Sequence, residues 1–487
     1  MLFYFLFLKF LIVIQYVKIN LAQGEYMSFI KKMFQTVDMT TGKPWEKILL
    51  FTFPMILGNI AQQLYSTVDS IVVGKYVGDN ALAAVGSANP VLNLLLVLFI
   101  GISTGASIMV SQYMGAKSSE NLAKTVGSCI SLTVISTFII MGISLFSVRP
   151  LLTLLNTPSS IYEWSYQYLI IMMMGIGGLA FYNILCGILR GLGDSFAALF
   201  YLLIATVLNI ILDLWFVAGL GLGVAGVALA TAIAQFISAF LCIRKILNKR
   251  ELYTITWHDL KLSRSHTFEI IKLGVPSGLT QVVFSLAMIL VQSLINSFGE
   301  SFIAVNVIVM RVDGFAMMPN MSFGIAMTTY AGQNIGAKNY KRLHDGTISG
   351  TTLALCTSAM ITLVLLMFGH NLMHMFTDTL EVIETGVRML RILAVGYIAF
   401  SITQCLSGIM RGAGDTVTPM WISLITTVVI RVPLAYIMVE MTKSATLING
   451  LQDVMYISLL ISWLLGALFT LFAYRKGHWR DKLEGYN

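Results

Sequence analysis

Apolar runs of about 20 residues recur along this chain from end to end, and few folds tolerate that pattern. A helix of that length crosses the hydrocarbon of a bilayer. Candidate spans fall at 48–75, 82–111, 122–147, 161–188, 196–218, 224–244, 268–297, 302–331, 343–368, 382–409, 417–439 and 450–474. A membrane barrel would instead show short strands of alternating polarity. Composition agrees with helices: 57% of the 487 residues are hydrophobic, 11% are charged, and mean hydropathy is +0.82. The expected fold is an all-α integral membrane protein with twelve transmembrane helices.

The net charge of +8 could suggest a nucleic-acid partner, so the placement of the basic residues decides its meaning. Most of the 31 Lys and Arg lie in the termini or beside the even-numbered loops. Lys75, Arg149 and Lys443 fall at odd loops, and Arg311, Arg388, Arg391 and Arg431 fall within spans. The positive-inside rule then puts both termini and the 245–267 loop in the cytoplasm of a multi-pass plasma (inner) membrane protein. The basic charge is topology, and no nucleic-acid partner is expected. The five cysteines lie in or at the ends of spans and show neither a disulfide framework nor a thiolate metal motif. Residues 1–38 form an amino-terminal extension whose apolar stretch is broken by Lys9 and lacks a clean cleavage site. It is expected to be peripheral, or not made if translation starts at Met27 or Met39.

Internal repeats set the architecture. GILRGLGDS at 187–195 returns as GIMRGAGDT at 408–416, and SQYMGAK at 111–117 as GQNIGAK at 332–338, both offset by 221. FPMILGN at 53–59 echoes as VPSGLTQ at 275–281 with one residue of slippage. The expected domains are an amino-terminal lobe (39–244), a cytoplasmic linker (245–267), a carboxy-terminal lobe (268–475) and a tail (476–487). An even number of spans per repeat gives two pseudo-symmetric six-helix bundles of the same orientation, an arrangement that secondary transporters use to expose a cavity alternately. No phosphate-binding G-x-x-x-x-G-K-[ST] occurs, so an ion gradient is the expected energy source rather than ATP, and the protein is not expected to be an enzyme.

Ionisable groups inside spans are costly and point to function. In LNIILDLWF (208–216), Asn209 and Asp213 lie four apart on one helix face. Gln62, Tyr65 and Asp69 share a face of span one, and Thr231 of span six could complete an oxygen cage for Na⁺ or a shared proton. At the 221-offset positions stand Ile430, Leu434 and Gln452, with Leu290 or Val291 opposite Asp69. A polar set that served structure alone would be expected to survive duplication, as the loop motifs did. Pro54 removes a backbone hydrogen bond from span one and is a candidate hinge. The second half keeps Gln281, Gln292, Asn296, Asn306, Arg311, Asp313, Gln404 and Arg431, for which structural or gating roles are expected. GLGLGVAG at 219–226 reads as a turn between helices, since no strand precedes it. His370 and His374 lack the Glu of a metalloprotease pattern, and no metal beyond a coupling Na⁺ is expected.

From about Met39 onward, both halves of the chain resemble the multidrug and toxic compound extrusion (MATE) family, prokaryotic type. The resemblance is carried by FPMILGNIAQQLYSTVDSIVVGKYVG, GISTGASIMVSQYMGAK, the paired ILRGLGDS and IMRGAGDT, and LNIILDLWF followed by GLGVAGVALAT. It implies two six-helix lobes in a V and cation-coupled efflux of organic compounds. It also implies a cation site at Asp69, Asn209, Asp213 and Thr231, substrate-pocket groups near Gln62, Tyr65, Tyr168 and Asn183, and a bend near Pro54. No cofactor is implied beyond a coupling H⁺ or Na⁺. The partners would be the bilayer and small cationic or amphiphilic drugs and toxins, handled by a monomer. The alternatives are a lipid-linked-precursor flippase of the same superfamily, which would want a strongly basic cavity, and an integral-membrane lipid-modifying enzyme, whose Asp-rich or His-rich motifs are missing from the sequence.

Overall fold

A computed structural model describes residues 35–155, 157–248, 252–256, 258–444, 449–477 and 479. Residues 1–34, most of the amino-terminal extension, and nearly all of the carboxy-terminal tail lie outside the described residues. Among the described residues there are no strands. Eleven helices are long and apolar enough to cross a membrane, or twelve if one bent pair counts as a single span.

The spans are α1 (Pro44–Tyr76), α2 (Asp79–Gly115), α3 (Ser119–Leu154), α4 in two limbs (Ser159–Met174 and Ile176–Gly191), α5 (Ser195–Gly219) and α6 (Gly223–Leu247). The second set is α7 (Arg264–Ser297), α8 (Glu300–Gly336), α9 (Tyr340–His374), α10 (Leu380–Gly412), α11 (Val417–Thr442) and α12 (Asp453–Lys476). All twelve expected spans are present, generally extended by a turn or more beyond their apolar centres. The outer faces of α3 and α9 carry exposed Phe138, Phe146, Met360 and Met367, as a lipid-facing surface requires.

Each repeated motif has a structural reason. In GLGDS and GAGDT, Gly193 and Gly414 take φ of +88° and +87°, a conformation that favours glycine and ends a helix. The following aspartates then start the next helix: Asp194 accepts from the Ala197 amide and Asp415 from the Thr418 amide, both at 3.1 Å. The GAK segments mark where α2 and α8 cross between the lobes. A Cβ at Gly115 would strike the Gln333 carbonyl, and one at Gly336 the Gln112 carbonyl, so only glycine lets these helix ends approach.

The lobes are joined at the end carrying residues 116–118 and 337–339. Gln112 Nε2 donates to the Gly412 carbonyl at 2.9 Å and Gln333 Nε2 to the Gly191 carbonyl at 3.0 Å, the same bond made by each repeat to the other. Residues 37–42 are strapped across this end. The Val37 amide donates to Gly193 O and the Met39 amide to Gln333 Oε1, both at 2.9 Å, while Arg342 donates to the carbonyls of Met39, Thr41 and Gly42. At this end Asp38 is held below the usual carboxylate range. Its partial burial acts the other way and is outweighed by bonds from Thr40 and the nearby charge of Lys47. The connection between lobes packs against α3, where Ser131 bonds the Leu260 carbonyl. The lobes thus form a V closed at one end, with a central cavity between them.

Candidate functional site: a carboxylate cluster and a central cavity

Helix register brings Asp69, Asn209, Asp213 and Thr231 together inside the amino-terminal lobe. Asn209 and Asp213 are fully buried and Thr231 nearly so. With its NH₂ group turned toward the carboxylates, the Asn209 amide donates to Asp69 Oδ1 at 2.8 Å and to Asp213 Oδ2 at 3.1 Å. The opposite orientation would set a carbonyl oxygen against two acceptors. The other end of the amide lies 3.3 Å from Thr231 Oγ1, which accepts a hydrogen bond from the Tyr65 hydroxyl at 3.1 Å. Asp213 Oδ1 is buried with no hydrogen-bond partner. Directly after Asp213 the helix widens into a π-turn, Leu214–Gly219, a deviation that often marks functional positions.

Two carboxylates on one amide in a protein interior repel each other unless a cation or a proton lies between them. The oxygens present here are two carboxylates, an amide carbonyl within a half-turn of its bond, and the hydroxyls of Thr231 and Tyr65. That donor set suits Na⁺ or H⁺ and no softer metal. Among the described residues, no group of three or more His, Cys, Asp or Glu side chains could hold a metal ion.

The four residues expected near a substrate separate in the structure. Tyr65 belongs to the carboxylate cluster through Thr231, and Tyr168 is buried beside the same two carboxylates. Gln62, on the same face of α1, is exposed. Asn183 lines the central cavity instead. Tyr168 and Asn183 stand on different limbs of α4, which meet at a 53° break. Pro54 is buried inside α1, which is helical on both sides of it. Its offset partner Pro276 lies likewise inside α7.

The central cavity, ≈ 600 Å³, is lined by both lobes but mostly by the carboxy-terminal one. Of the second-half polar residues, Gln281, Gln292, Asn306, Asp313, Gln404 and Arg431 line it, whereas Arg311 is exposed. Tyr456 donates to Asn306 Oδ1 at 2.9 Å. Asp313 and Arg431 lie near one another without closing to a direct ion pair, and Asp313 Oδ1 and Arg431 Nε are both buried without hydrogen-bond partners. Arg190 and Arg411 also line the cavity. Counted by loop, these two belong with the topology residues, yet the structure sets them in the cavity wall. Their identical positions in the repeated GILRG and GIMRG were the available signal.

The MatE family model matches residues 54–215 and, separately, residues 276–437. The chain is 30% identical over 417 residues to the probable multidrug resistance protein YoeA of Bacillus subtilis, covering 84% of this chain and 90% of that protein. It is 24% identical over 404 residues to the probable multidrug resistance protein NorM of Thermotoga maritima, covering 81% and 86%. Among solved structures, a MATE protein in its bent conformation superposes with a TM-score of 0.85 at 25% identity, covering 93% of this chain and 99% of that one. A MATE protein in the straight conformation gives 0.83 at 26% identity, covering 91% and 97%.

Proposed function

Because the chain belongs to the multidrug and toxic compound extrusion family, whose members are membrane transporters rather than enzymes, we propose that it expels organic amphiphiles by antiport. Asp69, Asn209, Asp213 and Thr231 form the coupling site in this reading. The observation that carries it is the buried Asn209 amide shared by two carboxylates, one of which keeps an unpartnered oxygen. An H⁺ or Na⁺ entering between the carboxylates satisfies them at once, and this reshapes α1 around Pro54. The change passes to the cavity, since α1 packs directly on α8, as in the Asn59–Ser322 hydrogen bond of 2.9 Å. Entry of one positive charge is worth about 2.3 kcal/mol per 100 mV. Both termini face the cytoplasm and the monomer is the working unit. Of the cationic and amphiphilic substrates expected from sequence, the methionine-rich cavity supports the amphiphilic.

The experiment is efflux of fluorescent amphiphiles from proteoliposomes under separate Na⁺ and pH gradients. Asp69→Asn and Asp213→Asn should each reduce gradient-driven efflux about tenfold or more, because each deletes a charge that only the loaded site neutralises. Full gradient-driven transport in both variants would sink this coupling site. The gradient that drives the wild type identifies the ion.

A further inference from the structure

Arg190 and Arg411 occupy the same place in the two repeats, the fourth residue of GILRG and of GIMRG. The glycines press α4 onto α2 and α10 onto α8. A Cβ at Gly191 would lie 2.7 Å from the Ser107 carbonyl oxygen, and one at Gly412 would lie 2.5 Å from that of Thr328. Each arginine is thereby fixed beside a helix seam, and both line the single cavity described above. The cavity wall repeats itself around them: Asn183 pairs with Gln404 and Ser107 with Thr328, each at the 221 offset. Two guanidiniums, two amides and two hydroxyls are thus arranged about the pseudo-two-fold axis that relates the lobes.

Neither Arg190 nor Arg411 has an ion-pair partner among the described residues, and Arg190 Nε is buried with no acceptor. Arg431 lines the same cavity, its Nε also without an acceptor, and Asp313 supplies the one lining carboxylate. A guanidinium removed from water without a partner is costly, and an arginine serving topology alone would gain by standing in a solvated loop. A guanidinium facing a cavity matches the two oxygens of a carboxylate, sulfonate or phosphate ester.

We propose that Arg190 and Arg411 receive the acidic group of the transported molecule, an amphiphilic organic anion or zwitterion. Its apolar body lies against Met288, Met317, Met321 and Trp463, which line the same cavity. This assignment rests on the export reading above and names the chemical class that the central cavity selects. The polar groups at the offset positions let one acidic group sit on the axis and be shared by the lobes. A carrier whose lobes must separate and rejoin around its cargo needs a contact of that kind.

The test uses three matched probes, dansyl-phenylalanine (an anion), its amide (neutral at the α-carbonyl) and dansylcadaverine (a cation). Their binding to the full-length protein in nanodiscs is measured without any gradient. The wild type should bind the acid about tenfold more tightly than the amide, the value of a charge-assisted bond lost. R190Q and R411Q should each reduce that preference, the double variant should bring it near one, and R190K/R411K should restore part of it. Equal or tighter binding of the amide or of dansylcadaverine by the wild type overturns the proposal, and that comparison requires no variant to fold. A preference that survives in R190Q/R411Q overturns it as well. Gradient-driven efflux of dansyl-phenylalanine, the probe the cavity should prefer, is read separately. Its absence alongside an intact acid preference would defeat the antiport reading and leave this one standing.

Discussion

Asn209 ties two carboxylates with a single amide, and which end of that amide faces them decides what the site can hold. With NH₂ inward it donates to Asp69 and Asp213, an arrangement that accommodates a proton without rearrangement. A Na⁺ needs the carbonyl inward, so loading would turn the amide by half a rotation and break both bonds. Thr231 sits at the pivot, 3.3 Å from the amide and 3.1 Å from the Tyr65 hydroxyl. Thr231→Val should therefore raise the ion concentration for half-maximal efflux about fivefold, the loss of about 1 kcal/mol of hydrogen bonding. Tyr65→Phe, which removes only the outer link, should do less. A Thr231→Val protein with unchanged ion dependence would remove Thr231 from the site. Asn209 and Asp213 were legible from spacing, because i, i+4 on a helix means one face and because Ile430 and Leu434 break the repeat at the matching positions. Asp69 came from the face it shares with Gln62 and Tyr65, and Thr231 only as a hydroxyl able to complete the cage. Tyr65 was legible on the face of Asp69, whereas Tyr168 and Asn183 came only from the family resemblance, and no spacing rule says which cavity a face looks into.

Hydropathy reports whether a helix crosses, and so all twelve spans could be read from the sequence. It is blind to how a helix bends or what it touches. The 53° break of α4 at Gly175 sits within one continuous apolar run, at GIGG (175–178), a glycine cluster that hydropathy alone does not register. The glycine at the break is a packing requirement as well, since a Cβ there would come within 2.5 Å of Ala232 Cβ. The same close packing makes Gly412 intolerant of a side chain, while a Cβ at Gly142 on α3 would meet nothing within 4 Å. Gly412→Ala should lower thermal stability by about 1–3 kcal/mol, the usual consequence of overpacking, and Gly142→Ala should leave it unchanged or slightly raised. Comparable melting temperatures for the two variants would show that α10 can retreat from α8 freely, against the tight seam described here. The glycines were visible as a repeat before they were visible as contacts. Their meaning depended on the neighbouring helix, which the sequence does not order in space.

At the scale of the whole molecule, the lobes are two copies of one fold joined by bonds each copy makes to the other. Gln112 reaches the last carbonyl of α10, and Gln333 reaches the last carbonyl of the lower limb of α4. The two bonds are related by the 221 offset, so they load and release together if the lobes rotate about their common axis. Neither amide titrates, so the latch itself does not sense ions. In the proposed coupling scheme the response to H⁺ or Na⁺ starts at Asp69 and Asp213, and the latch sets how much free energy that response must supply. At about 1 kcal/mol per neutral hydrogen bond, removing both bonds should shift the balance between the two orientations of the V roughly thirtyfold. Spin labels at Leu220 and Met441, exposed offset partners near the open end, report the change as a distance. In Gln112→Ala/Gln333→Ala a shorter-distance population should appear without any ion gradient, because opening the joined end brings the far ends together. Each single variant should shift it less. A distance distribution identical to the wild type's would mean that helix packing at Gly115 and Gly336, rather than the reciprocal glutamines, holds the lobes closed.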